Sequence, residues 1–146
     1  TIETECRRIG LLLLVLAVAS LGLAGCSQGN VSSLKVGDCF KNAPLGELAD
    51  VEIVNCSNAH TDEVFATFDL SGSTWPGRYQ VEELGDQGCY ERFRSYVGID
   101  YEYSEYYGFT ISPTEDSWNQ GDVREVICSL GPQYGTKTGS ARGTRR

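Results

Sequence analysis

His60 is the only histidine in this sequence, and Asp62 follows it by two residues. An imidazole next to a carboxylate can bind a ligand or act as a general base that the acid orients. The same ring can instead bond loop backbone groups and fix a turn, and the residues around it favour that structural role. No Gly-x-Ser-x-Gly elbow supplies a nucleophile. The six cysteines, Cys6, Cys26, Cys39, Cys56, Cys89 and Cys128, contain no Cys-x-x-Cys pair. With one histidine they cannot complete a typical zinc set, so neither metal nor cofactor is expected. Asp100, Glu102, Ser104 and Glu105 bring hard oxygens close together, but the EF-hand pattern is absent and calcium is not expected. Tyr101, Tyr103, Tyr106 and Tyr107 share that stretch and suit contact with a sugar or a protein. Trp75 and Trp118 fall in expected loops. Exposed together they would mark a binding surface; buried, they would cap the ends of a sheet. Glu82/Glu83 and Glu115/Asp116 read as solvated surface.

Ahead of these residues lies a different kind of segment. Arg7 and Arg8 precede 17 uncharged residues, Ile9 to Gly25. A positive start, an apolar run and small residues before a cut make a secretory signal. Leu23-Ala24-Gly25-Cys26 resembles the lipobox of bacterial lipoproteins. That resemblance implies cleavage before Cys26, diacylglycerol on its sulfur, and acyl chains of the palmitate type on the new N-terminus. An uncleaved span is the alternative, but this length is at the bottom of the range of about 17–25 residues. Gly10, Gly22, Gly25 and Ser20 weaken it further. Either way the positive-inside rule puts the rest of the chain outside the cytoplasm. The Arg-Arg pair alone is poor evidence for twin-arginine export.

Four cysteines remain in the exported part, and there they read as two disulfides, which takes their thiols out of nucleophilic chemistry. Three pairings are possible. Adjacency in chain order favours Cys39–Cys56 and Cys89–Cys128. Net charge is −8, with the acids concentrated between Ser27 and Leu130. Such a body argues against binding a nucleic-acid backbone, which needs a basic face. After Gly131 the charges are Lys137, Arg142, Arg145 and Arg146 only, and this end reads as a solvated basic tail.

The elements that must position these residues follow from periodicity. Val36–Phe40 reads as a short strand with a tight turn, Lys41–Ala49 as a loop, and Val51–Cys56 as a second strand. In Glu63–Leu70, Val64, Ala66, Phe68 and Leu70 alternate onto one face. Pro76 opens a helix over Arg78–Val97 with Val81, Leu84, Cys89, Phe93, Tyr96 and Val97 as its apolar stripe. Gly85 and Gly88 mark close packing on a sheet, and Gly98 ends the helix. Tyr106–Ser112 is a strand, Pro113–Gly121 a loop, and Val123–Leu130 a strand with Val126, Cys128 and Leu130 on one face. The expected fold is α+β, a mostly antiparallel sheet in the order β-β-β-α-β-β with one amphipathic helix on a face. The expected divisions are a signal peptide over 1–25, a lipidated N-terminus and polar spacer over 26–33, a folded domain over 34–142 and a basic tail over 143–146.

Several of these pieces, in order, resemble the septum formation family of actinobacterial envelope proteins. They are Val36-Gly37-Asp38-Cys39-Phe40, Val54-Asn55-Cys56 with His60, Glu63-Val64-Phe65, and Trp75-Pro76-Gly77 before a helix bearing Cys89. Tyr96-Val97-Gly98, Pro113-Thr114-Glu115, Ser117-Trp118, Gly121-Asp122, Val126-Ile127-Cys128 and Thr138-Gly139-Ser140 complete the set. One departure is visible: Val123 separates Asp122 from Arg124 where the family usually runs Gly-Asp-Arg, which implies a local bulge. The resemblance implies a part in division or envelope assembly and carries over no catalytic residue. The expected protein is therefore a non-enzymatic module anchored by Cys26 to the outer face of the cell membrane. It would bind an envelope or division protein, or a wall glycopolymer, and no nucleic acid. The competing expectations are a small envelope hydrolase or transferase using His60, and a structural accessory subunit of a membrane complex.

Overall fold

The computed structural model describes residues 27–41 and 50–146. The signal segment, the lipid-acceptor Cys26 and nearly all of the expected loop at 41–49 lie outside the described residues. In chain order the strands and helices are β1 (Ser27–Asn30), β2 (Cys39–Lys41), β3 (Asp50–Val54), β4 (Asp62–Asp69), α1 (Arg78–Val97), β5 (Tyr106–Ile111), α2 (Glu115–Gly121) and β6 (Glu125–Pro132). The six strands form one sheet in the order β1-β3-β2-β4-β6-β5. Every pairing is antiparallel. The α+β class, the single main helix and both disulfides agree with the sequence reading.

Two elements differ from it. Ser27–Asn30, read as part of a spacer, pairs with β3 as an edge strand. The expected loop around Trp118 contains α2, whose first turn is closed by a capping box: Thr114 Oγ1 accepts from the Ser117 N–H, and Ser117 Oγ accepts from the Thr114 N–H. Its first residues, Glu115 and Asp116, also suit the positive end of the helix dipole.

The sheet is covered on both faces near its centre. One core holds Phe65, Ala66, Val81, Phe93, Val97, Trp118, Val126, Cys128 and Leu130 under α1. The other holds Leu34, Phe40, Val51, Val64 and Ile127 on the opposite face. Val64 is therefore not on the same face as Ala66. A register shift between Val64 and Ala66 inserts one extra residue against β6 and resets the alternation. Before the shift, Glu63 and Phe65 face the helix; after it, Ala66 and Phe68 do.

Helix α1 buries Val81, Gly85, Gly88, Cys89, Phe93, Tyr96 and Val97. Leu84, expected on the stripe, is 42% exposed. The seam runs through the two glycines instead, because the sheet comes too close for a larger side chain. A Cβ on Gly88 would lie 2.2 Å from Phe68 Cζ, and one on Gly85 would lie 2.7 Å from Ser112 Oγ. Arg92 lies over the Phe68 ring, 4.2 Å from its centroid. Gly88→Ala gains about 1 kcal/mol of helix propensity but overpacks this contact, typically at about 1–3 kcal/mol. The expected result is a lower urea midpoint; an unchanged or higher one would mean that Phe68 swings aside freely. Gly98 closes the helix in the left-handed region at φ 90°, its N–H bonding the Arg94 carbonyl.

Both bridges join segments that the sheet has already brought together. Cys39–Cys56 ties β2 to the turn that follows β3, with Cα atoms 5.2 Å apart. Cys89–Cys128 ties α1 to β6, with Cα atoms 5.5 Å apart. No helix among the described residues is long and apolar enough to cross a membrane.

Candidate functional site

His60 lies just before β4 and is fully buried. Its backbone exchanges two hydrogen bonds with Lys137, His60 N to Lys137 O at 3.0 Å and the reverse at 2.9 Å. The ring Nδ1 is 2.8 Å from the Asn58 carbonyl, which can only accept, so Nδ1 carries the proton. Nε2 is left as an acceptor and meets Lys137 Nζ at 3.1 Å. The Lys137 ammonium also donates to Glu63 Oε2 at 2.8 Å and to the Gly139 carbonyl at 2.6 Å. Its three protons are thereby all used.

Glu63, also fully buried, is equally well satisfied. Oε1 accepts from Tyr96 Oη at 2.8 Å and from Ser140 Oγ. Oε2 accepts from Lys137 and from the Ala141 N–H at 2.7 Å. Burial alone would raise the Glu63 carboxyl, but Lys137, Ser140, the Ala141 N–H and Tyr96 together hold it below the usual carboxylate range. The Tyr96 phenol moves the other way, pushed up by burial and by the hydrogen bond and charge of Glu63.

Cys39, His60 and Glu63 place potential ligand atoms within 4.8 Å of one another. The set does not suit a cation. Cys39 is in a disulfide, and both His60 nitrogens and all four Glu63 acceptor sites are engaged. What this arrangement does is clasp. It fastens the segment 137–141 to the start of β4 and to the end of α1. The basic end is consequently no solvated tail: Ala141 is fully buried, Gly143 N bonds Tyr96 O at 2.8 Å, and Arg145 N bonds Val97 O at 2.9 Å. Arg146 pairs with Glu105 at 3.0 Å.

The other residues singled out from the sequence are distributed around this clasp. Asp62 accepts from Ser129 Oγ at 3.3 Å, while the two His60 nitrogens are taken by Asn58 and Lys137. Trp118 is buried and Trp75 half-buried against it, edge to face at 5.5 Å. They form a sheet-end cap. Arg124 lies over the Trp118 ring at 3.9 Å, donates to the Gly72 carbonyl at 3.0 Å and pairs with Asp122 at 2.9 Å. The extra residue Val123 is absorbed there by Asp122, which adopts φ 52° at the end of α2. Asp100 pairs with Arg94, Glu102 accepts from Tyr90 Oη, and Ser104 donates to the Arg146 carbonyl. These acids are therefore committed to separate neighbours rather than to one ion.

Glu63, Lys137, Tyr96 and Ser140 were not among the expected site residues. Their separations along the chain leave no local pattern. The one available signal was an acid inside the most apolar strand, where acids are depleted.

A five-residue clasp on a disulfide-stapled antiparallel sheet with one main helix defines a small α+β module. A family model described as Septum formation matches residues 28–144, and the chain belongs to the septum formation family. Neither the curated proteins nor the solved structures contain a match. Membership points to a role in septum or envelope processes.

Proposed function

We propose that this chain is a non-enzymatic binding module, held by lipid on Cys26 at the outer face of the cell membrane and acting in septum formation or envelope assembly. The observation that carries the reading is the saturation of the His60–Lys137–Glu63 clasp. The residues best suited to acid–base chemistry spend every donor and acceptor on fastening the C-terminal segment. The two disulfides fit an oxidising compartment, and the lipobox-like Leu23–Cys26 supports the anchor. Lipid with two or three acyl chains holds stably where one chain does not. The module then works by position, with lipid at one end and a stapled surface for an envelope partner at the other.

Proximity labelling in intact cells, comparing the native chain with Cys26→Ala, tests this. The expected result is enrichment of division or wall-synthesis proteins by the anchored form alone. Unselective labelling by both forms would count against a positioned module and reopen hydrolytic activity, to be screened with His60→Ala as control.

A further inference from the structure

We propose that the seam between α1 and β5 docks an extended basic peptide segment of a partner, with a lysine or arginine side chain held in an aromatic cleft against Asp86. This rests on the binding-module reading above and names its surface and ligand class. The cleft has a volume of about 450 Å³ and opens beside β5 at Gly108–Thr110. Phe65, Phe93, Tyr90 and Tyr101 line it. The rings stand nearly at right angles: Phe93 and Tyr101 meet at 88° and 5.1 Å, Tyr90 and Tyr101 at 69° and 6.2 Å. Rings arranged as walls of a cleft suit a cation, which interacts with their faces. Asp86 lines the same cleft and also a second trough of about 660 Å³ that continues past Thr110 to Trp75.

Charge selects the occupant. Asp86 is exposed, and its carboxylate has no hydrogen bond or ion pair among the described residues. The three arginines of α1 are already committed: Arg78 to Glu82, Arg94 to Asp100 and Arg92 to the Phe68 ring. An incoming cation therefore meets a carboxylate without a competitor, in a body of net negative charge.

The backbone selects a peptide over a glycan. Strand β5 is the edge of the sheet. The Tyr106 and Gly108 N–H groups bond Ser104 Oγ and Tyr101 Oη rather than β6. The same parity turns the Thr110 N–H and carbonyl outward, where the cleft and the trough meet. An extended chain lying there can pair with main chain while its side chain enters the cleft.

The test is a titration of the full chain, 15N-labelled and kept in a polyoxyethylene detergent, followed by amide shifts. The probe is a Ser/Thr heptapeptide with one central lysine; its Nε-acetyl-lysine form is the control. Saturable shifts of Asp86, Tyr101, Gly108 and Thr110 are expected with lysine, and none with acetyl-lysine. Asp86→Asn, an isosteric change at an exposed side chain without partners, should weaken binding about tenfold. The inference is overturned by equal binding to Asp86→Asn or by equal response to acetyl-lysine. It is also overturned if an N-acetylglucosamine oligomer, and not the peptide, shifts these amides. If Asp86→Asn still labels the same division proteins in cells, the anchored-module reading stands and only this cleft assignment fails.

Discussion

Glu63→Ala is expected to lower the unfolding free energy by about 3–5 kcal/mol, because it leaves a cation stranded in the clasp. Lys137 has a side chain only 10% exposed and would lose its one carboxylate partner. Tyr96 Oη, Ser140 Oγ and the Ala141 N–H would lose their acceptor as well. Removing both charges should cost less: Glu63→Leu combined with Lys137→Leu is expected to be more stable than Glu63→Ala, since an apolar pair leaves no buried unpaired charge. Urea midpoints of the three proteins decide this. A double variant as unstable as the single one would show that the clasp acts through its neutral hydrogen bonds and not through the ion pair.

The same carboxylate gives the molecule an acid limit. Its folded pKa lies below the ordinary 4.5, so the unfolded chain binds the proton more readily. The stabilisation is fully present above the ordinary value and is lost as pH falls through the lower, folded one. Wild-type stability should therefore drop steeply below about pH 4.5, and the double variant should show a shallower drop. Parallel profiles for the two proteins would assign the acid limit to other carboxylates.

Breaking Cys89–Cys128 is the other large effect. The bridge closes a loop of 39 residues, worth about 4 kcal/mol of unfolded-chain entropy, against about 3 kcal/mol for the 17-residue loop of Cys39–Cys56. It also joins the two elements whose packing forms the larger core. Cys128 is fully buried and Cys89 nearly so, so alanines at both sites leave a gap as well. The expected result is a Tm lower by on the order of 10–20 °C for Cys89→Ala/Cys128→Ala, and a smaller fall for Cys39→Ala/Cys56→Ala. Thermal unfolding of both double variants tests the order, and the reverse order would place the folding constraint in the β2–β3 corner. Losses of this size are a large part of the roughly 5–15 kcal/mol that holds a typical domain together.

The clasp shows why part of the site was hidden. His60 was legible as a turn residue, because a lone imidazole in a polar loop has few other structural uses. Its partners were not. Glu63 faces the helix only because the register shift at Val64/Ala66 reverses the alternation, and a strand read at a strict period of two puts Val64 on the helix face instead. Lys137 reaches Glu63 across 74 residues. Its charge and late position gave it the look of a solvated tail.

Local physics, by contrast, was enough for much of the fold. A 3–4 spacing of apolar residues, with Gly98 behind it, sets the extent of α1. Alternation sets which residues of β6, Val126, Cys128 and Leu130, share the helix-side core. Order along the chain sufficed to choose the disulfide pairs, because pairing neighbours in sequence closes the smallest total loop length of the three possible connectivities. These features depend on neighbours a few residues apart or on chain connectivity, and the sequence by itself determined them. The tertiary structure alone decided which acid is buried, that the basic end is fastened, and that Leu84 is left off the buried stripe. Each depends on how closely two distant segments approach, and that distance is set by packing rather than by any residue's own preference.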